Sequence, residues 1–345
     1  MAKRNSISIK NIATESRVSM TTVSLVLNQR DSRISESTRR RVLDAADRLG
    51  YRPSRLAQGL QAQRVGILAI LVPQLRHAFA DVYFGELISA VHDQARQAGY
   101  RILLEVAHPT FVKQGQHREL FDRDFVDGML CLGVSNEDAY LADFEDGDRP
   151  MVLVNNYVDG LHLNYVRCDY HRAGHLAAEH LLERGHRHIA LIHGAQNVQT
   201  GVEFWRGVED STRAAGLTLP ARLLADGMYT EEGGALAAVD LIRRDADVTA
   251  IVAGNDKMAI GAISGLKSMG RAVPRDVSVV GCDDIHQGAF VDPELTTVHT
   301  PLYSTGSRAC ECLIDLIDGS EDAVREVLPV TLTERKSVAS PPESR

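Results

Sequence analysis

The groups best suited to chemistry in this 345-residue chain are the hydroxyls and the amide of Val18-Ser19-Met20-Thr21-Thr22-Val23-Ser24-Leu25-Val26-Leu27-Asn28. That chemistry is recognition rather than bond breaking. Short polar groups at a helix start can donate to phosphate, and side chains that project deeper can reach base edges. A second candidate stretch is Pro53-Ser54-Arg55-Leu56-Ala57-Gln58-Gly59-Leu60. Pro53 presets its backbone and Ser54 can cap it, yet a helix of under two turns is unstable alone. Gly59 weakens it further, by about 1 kcal/mol relative to Ala. No Ser-His-Asp or paired-carboxylate arrangement stands out in a chain with 46 acids, so an enzyme is a poor reading.

Periodicity gives the elements that must position these groups. Ser8 can cap a short helix from Ile9 to about Glu15, with Ile9, Ile12 and Ala13 as its apolar stripe. Ser19 looks like the next N-cap, and a second helix runs to about Leu27. Val23, Val26 and Leu27 form its buried face, Thr21 and Leu25 lie on the other, and Met20 sits at the leading edge. Two short helices with a tight turn are a helix-turn-helix, whose second helix would enter a major groove N-terminal end first. A third helix, capped by Ser35 and ended by Gly50, buries Val42, Leu43, Ala46 and Leu49. It leaves Arg39, Arg40, Arg41 and Arg48 for solvent or phosphate.

The net charge of −8 hides an asymmetry: residues 1–64 hold 13 Lys+Arg against 5 Asp+Glu, the rest 25 against 41. A basic head on an acidic body argues for an anionic partner at one end. The five scattered cysteines suit reduced thiols in a cytosolic protein. Cys310 and Cys312 have no partner cluster nearby to make a metal site. No run of about 18 apolar residues suggests a membrane span, and the N-terminus lacks the apolar core of a secretory signal.

From residue 65 the pattern changes. Continuous apolar runs, such as Val65-Gly66-Ile67-Leu68-Ala69-Ile70-Leu71-Val72, alternate with amphipathic helices. A second set begins near Val166. This is the pattern of doubly wound parallel α/β sheets. No G-x-G-x-x-G follows these runs, so a dinucleotide site is a poor reading. His171, His175 and Glu179 have a helical spacing that a metal could use, but no general base sits between the histidines.

The motif V-S-x-x-T-V-S-x-V-L-N, the Gly50-Tyr51-Arg52-Pro53 step and Ser54-Arg55-Leu56-Ala57-Gln58-Gly59-Leu60, in this order and spacing, resemble the LacI/GalR family of transcription regulators over essentially the whole chain. The resemblance implies a helix-turn-helix head over 1–53, a hinge helix and linker over 54–64, and a periplasmic-binding-protein-like body over 65–340, followed by a tail over 341–345. The body would be two similar lobes joined by three crossovers, with a small-molecule effector between them. By the same resemblance Met20, Thr21 and Leu25 read bases, and Ser19, Thr22, Ser24 and Asn28 grip phosphate. Ser8 is a further phosphate candidate. Leu25 departs from members with Arg there; Leu offers only an apolar surface, for example to a thymine methyl. Arg17 stands where many members have a small turn residue. The hinge would fold when two copies pack on DNA, with Leu60 as the wedge in the minor groove and Ala57 as the small residue beside it.

Effector candidates follow strands: Asn155, Asn255 and Asp283, whose side chains suit sugar hydroxyls, with Tyr83, Phe84 and Tyr229 as aromatic walls. Members that bind sugars commonly have Arg where this chain has Phe204, so Phe204 is expected to line the pocket, and the effector could be more apolar than a plain sugar or the site could have changed its use; a slip of two residues in the match is the competing explanation. The expected partners are a palindromic DNA operator, a small-molecule effector and a second copy of the chain, with no cofactor, metal or membrane. The protein is expected to be a cytoplasmic regulator, a repressor in the first instance. A solute-binding protein without a DNA role is the alternative; it explains the body but not the head.

Overall fold

The computed structural model describes residues 8–27, 34–51, 64–74, 81–123, 125–146 and 149–342. The chain divides into two compact units, Met1–Val65 and Gly66–Arg345.

In the first unit, α1 (Ile9–Ser16), α2 (Met20–Leu27) and α3 (Glu36–Leu49) close around Ile12, Ala13, Val23, Val26, Val42, Ala45 and Ala46. The ends are chemically marked. Ser35 Oγ accepts the Thr38 N–H at 3.3 Å. Gly50, at φ +64, lets its own N–H and that of Tyr51 reach back to the carbonyls of Asp47 and Ala46. One expectation fails here: Leu43 is 44% exposed, and Ala45 takes the inward position. Small alanines let α3 pack close to its two short neighbours.

The second unit contains two sheets. The first has the order β11-β5-β4-β3-β1-β2, all parallel, from β1 (Ile67–Pro73), β2 (Arg101–Ala107), β3 (Gly128–Leu132), β4 (Met151–Val154), β5 (Asn164–Cys168) and β11 (Arg325–Leu328). The second has the order β12-β10-β9-β8-β6-β7, from β6 (Ile189–His193), β7 (Leu224–Asp226), β8 (Ala250–Ala253), β9 (Ser278–Asp283), β10 (Thr296–His299) and β12 (Thr331–Thr333); only the β10–β12 pair is antiparallel. Strands β3 and β4 are buried along their whole length, as parallel strands covered on both faces must be.

Helix α4 (Val82–Gln97) and α11 (Leu302–Ile317) cover the first sheet with α5 (Pro109–Lys113) and α6 (Gln116–Asp122); α7 (Tyr170–Glu183), α8 (Gln199–Ala214), α9 (Glu231–Arg244) and α10 (Asp256–Ser268) cover the second. The chain passes between lobes after β5, after β10 and after β11. These three crossings are the ones the resemblance implies. The expected start of the second set near Val166 is corrected: β5 pairs in the first sheet, and the second lobe begins with α7. Among the described residues no helix is long and apolar enough to cross a membrane.

Candidate functional site

In the head, the hydroxyls cluster at helix starts. Ser8 donates to Asn11 Oδ1 from its backbone N–H at 2.9 Å and from Oγ at 2.7 Å. Ser19 Oγ accepts the Thr22 N–H at 3.0 Å and lies 2.9 Å from Thr22 Oγ1. Both sites leave the first turns of α1 and α2 polar and exposed. Met20 is 57% exposed, Thr21 is exposed, and Ser24 and Leu25 are half-buried. Arg17 turns the chain between α1 and α2 at φ 52, ψ 45, a left-handed conformation that favours glycine. Asn28, Ala57 and Leu60, with the rest of the expected hinge, lie outside the described residues.

In the body, a chain of hydrogen bonds runs from one lobe to the other where the strands end. Asn155 follows β4, is fully buried, and takes φ 53. Its Nδ2 donates to Tyr83 Oη at 3.1 Å and to Tyr170 Oη at 3.0 Å, and its Oδ1 accepts the Cys168 N–H at 2.9 Å. Tyr170 Oη donates to Asp283 Oδ1 at 3.3 Å, as does Thr300 Oγ1 at 3.3 Å. Cys168, Tyr170 and Thr300 sit at two of the three crossings, so this network ties the strand ends of the two lobes to the crossing segments.

The electrostatics favour protonated groups. Burial pushes the Asp283 carboxyl up to about 7, against the hydrogen bonds from Thr300 and Tyr170. Burial and then Asp283 push the Tyr83, Tyr170 and Tyr229 phenols up as well. Tyr229, at φ 56, lies against Gly194 and Gly201, where a Cβ would overlap its ring or hydroxyl. Its hydroxyl is buried and has no hydrogen-bond partner among the described residues.

Three further contacts bridge the lobes. Lys257 Nζ meets Asp81 Oδ2 at 2.6 Å. Glu203, on α8, accepts from Tyr157 Oη at 2.7 Å and from Arg167 Nη1 at 3.2 Å, and the Arg167 guanidinium lies over the Tyr157 ring at 4.9 Å. The Asn136 N–H donates to the Asn197 carbonyl at 2.8 Å. Glu203, Arg167, Tyr157, Tyr170, Asp81 and Lys257 were not signalled by the sequence; their partners stand between 15 and 176 positions away.

Two expected wall residues are placed elsewhere. Phe204 is 2% exposed and packs with Tyr170, Ala173, Val208, Val252 and Val280 in the core of the second lobe. Its expected place in the pocket wall is corrected: a rotation of about 100° per residue on α8 turns Glu203 to the cleft and Phe204 inward. Phe84 is 7% exposed and lies beside Gly133 in the first-lobe core, while the hydroxyl of its neighbour Tyr83 accepts from Asn155 Nδ2. Asn255 caps α10, accepting the Met258 N–H at 2.9 Å. Next to it Asp256, wholly buried, accepts from Thr297 Oγ1 and the Ile285 N–H, which makes it a brace for the loop after β9. His171 pairs with Asp210 and His175 with Glu179. Among the described residues no group of three or more His, Cys, Asp or Glu side chains is placed to hold a metal.

Comparison with known proteins connects both units. The family model for bacterial regulatory proteins, lacI family, matches residues 8–54, and that for a periplasmic binding protein-like domain matches residues 178–338. The chain is similar to the HTH-type transcriptional repressor PurR of Erwinia tasmaniensis, at 34% identity over 97% of each chain. It is also similar to the HTH-type transcriptional repressor PurR of Escherichia coli O139:H28, at 32% over 97% of each. Among solved structures it resembles a lac repressor dimer bound to operator and the anti-inducer ONPF (TM-score 0.84, 25% identity, 96% of this chain and 99% of that one). It resembles a complex of the transcriptional regulator CelR with cellobiose as well (TM-score 0.74, 29% identity, 96% and 99%).

Proposed function

This chain belongs to the lacI family of bacterial regulatory proteins, and from that premise we propose how it works as a DNA-binding transcriptional repressor under small-molecule control. Residues 1–53 bind one half of a palindromic operator, with Met20, Thr21 and Leu25 toward the bases and Ser8, Ser19, Thr22, Ser24 and Asn28 toward phosphate. Residues 54–64 link head to body and place Ala57 and Leu60 in the minor groove. Residues 65–340 bind the effector and pair with a second copy, in the cytoplasm.

The effector is a hydrogen-bonding small molecule, a sugar or related metabolite, held between the lobes by Tyr83, Asn155, Tyr170, Tyr229 and Asp283. The observation that carries this is the Tyr229 hydroxyl, buried and without a protein partner among the described residues. An unpaired buried hydroxyl costs about 1–3 kcal/mol, a cost that a ligand hydrogen bond would offset. Effector and DNA favour different arrangements of the lobes, so the binding of one changes the affinity for the other.

The test begins with selection of duplexes from a random pool by the full chain. An enriched palindrome whose affinity falls steeply with salt is expected; no enrichment over random DNA would overturn the DNA role. A thermal-shift panel of sugars and nucleosides then finds the effector, because a ligand of the folded state raises its melting point. Tyr229→Phe should shrink that shift and leave operator affinity in the absence of effector unchanged.

A further inference from the structure

The described residues of the base-facing helix of the head carry no group able to make a bidentate contact with a base. Met20–Leu27 reads MTTVSLVL, with no Arg, Lys, Asn, Gln, Asp or Glu. Guanine is read by a fork of donors on O6 and N7, adenine by a carboxamide on N6 and N7, and the cytosine amino group by a carboxylate. The structure narrows what remains. Val23 and Val26 are spent in the core. Ser19 and Thr22 are engaged with each other at the N-terminus of the helix. The outward surface is therefore Met20, 57% exposed, with Thr21 and the half-buried Leu25. It is a mainly apolar surface on a segment whose net charge is +8. That charge selects a nucleic acid as the occupant. The apolar group on the major-groove edges of DNA is the thymine C5-methyl.

We propose that this chain reads its operator half-site through thymine methyl groups packed against Met20 and Leu25, and not through guanine. The proposal rests on α2 being the base-reading helix, and it predicts the chemistry of the site that helix selects.

The test uses the full chain and the duplex it enriches from a random pool. Deoxyuridine replaces thymidine one symmetric pair at a time, which removes only the major-groove methyl. Minor-groove contacts by residues 54–60 would not sense the change. Each buried methyl is worth about fourfold in affinity, so a symmetric pair, which removes two, should cost roughly fifteenfold. In Met20→Ala or Leu25→Ala the same replacement should cost less than twofold. Met20 points outward, so Met20→Ala settles the matter even if Leu25→Ala fails to fold. Replacement of guanine by 7-deazaguanine should change affinity less than twofold. Tolerance of every deoxyuridine, or a loss carried by 7-deazaguanine instead, would overturn methyl readout while leaving the DNA role intact. Failure to enrich any duplex would sink the DNA role itself, and this proposal with it.

Discussion

At the scale of single residues, the site is defined by polar groups held in uncommon conformations and out of water. Asn155, Tyr229 and Asp283 all have positive φ, at 53°, 56° and 109°. Such backbone strain persists where the surroundings over-determine it. Asp283 has a thermodynamic signature. Its carboxyl holds a proton more tightly in the folded state than in the unfolded one, up to about 7. The stability it contributes is present below the ordinary carboxylate range and is lost as pH rises through about 7. Asp283→Asn should therefore melt progressively higher, relative to the parent, as pH rises from 5 to 8; parallel melting curves would contradict this. Asn155→Ala removes three hydrogen bonds at a buried left-handed position and should cost about 3 kcal/mol in denaturant unfolding. Sequence placed Asn155 and Asp283 as ligand-facing because both follow apolar strand-like runs. It missed Tyr170 and Glu203 because nothing local marks them. Phe204 was misplaced for the converse reason: position within a motif says which helix carries a residue, and packing decides which way it turns.

At the scale of elements, helix pairs in the second lobe meet at glycines. A Cβ on Gly174 would overlap the Phe204 carbonyl, and one on Gly207 the His171 carbonyl, where α7 crosses α8. Where α9 meets α10, a Cβ on Gly261 would overlap the Glu231 carbonyl. Here the obstacle is backbone, which cannot swing aside. Gly207→Ala should destabilise the body by about 1–3 kcal/mol, read as a shift in the urea midpoint at unchanged slope. The elements themselves were largely legible. Caps at Ser35 and Gly50 stand at the ends of α3, and unbroken apolar runs mark β1, β3 and β4. Strand β5 was hidden because Asn164-Tyr165-Val166-Arg167-Cys168 is not an apolar run, and Arg167 on it is needed at the cleft. The return of α11 to the first lobe was also hidden, since pairing at long range leaves no local pattern.

At the scale of the whole molecule, a basic DNA-reading unit and an acidic ligand-binding unit share one chain. Within the body the lobes are joined by three crossings and bridged by Lys257–Asp81 and by Glu203 with Arg167 and Tyr157. Both bridges are largely shielded from solvent, so breaking them leaves charges poorly paired. The double variant Glu203→Gln with Lys257→Met should let the lobes part, seen as a larger radius of gyration by small-angle scattering; an unchanged radius would assign closure to the crossings alone. The central claim is that cleft and head are two sites on one equilibrium. The most direct measurement is the operator affinity of the full chain with and without saturating effector, paired with the effector affinity with and without operator. The account predicts that both change by one common factor and in the same direction. Operator affinity that stays constant at saturating effector would contradict it.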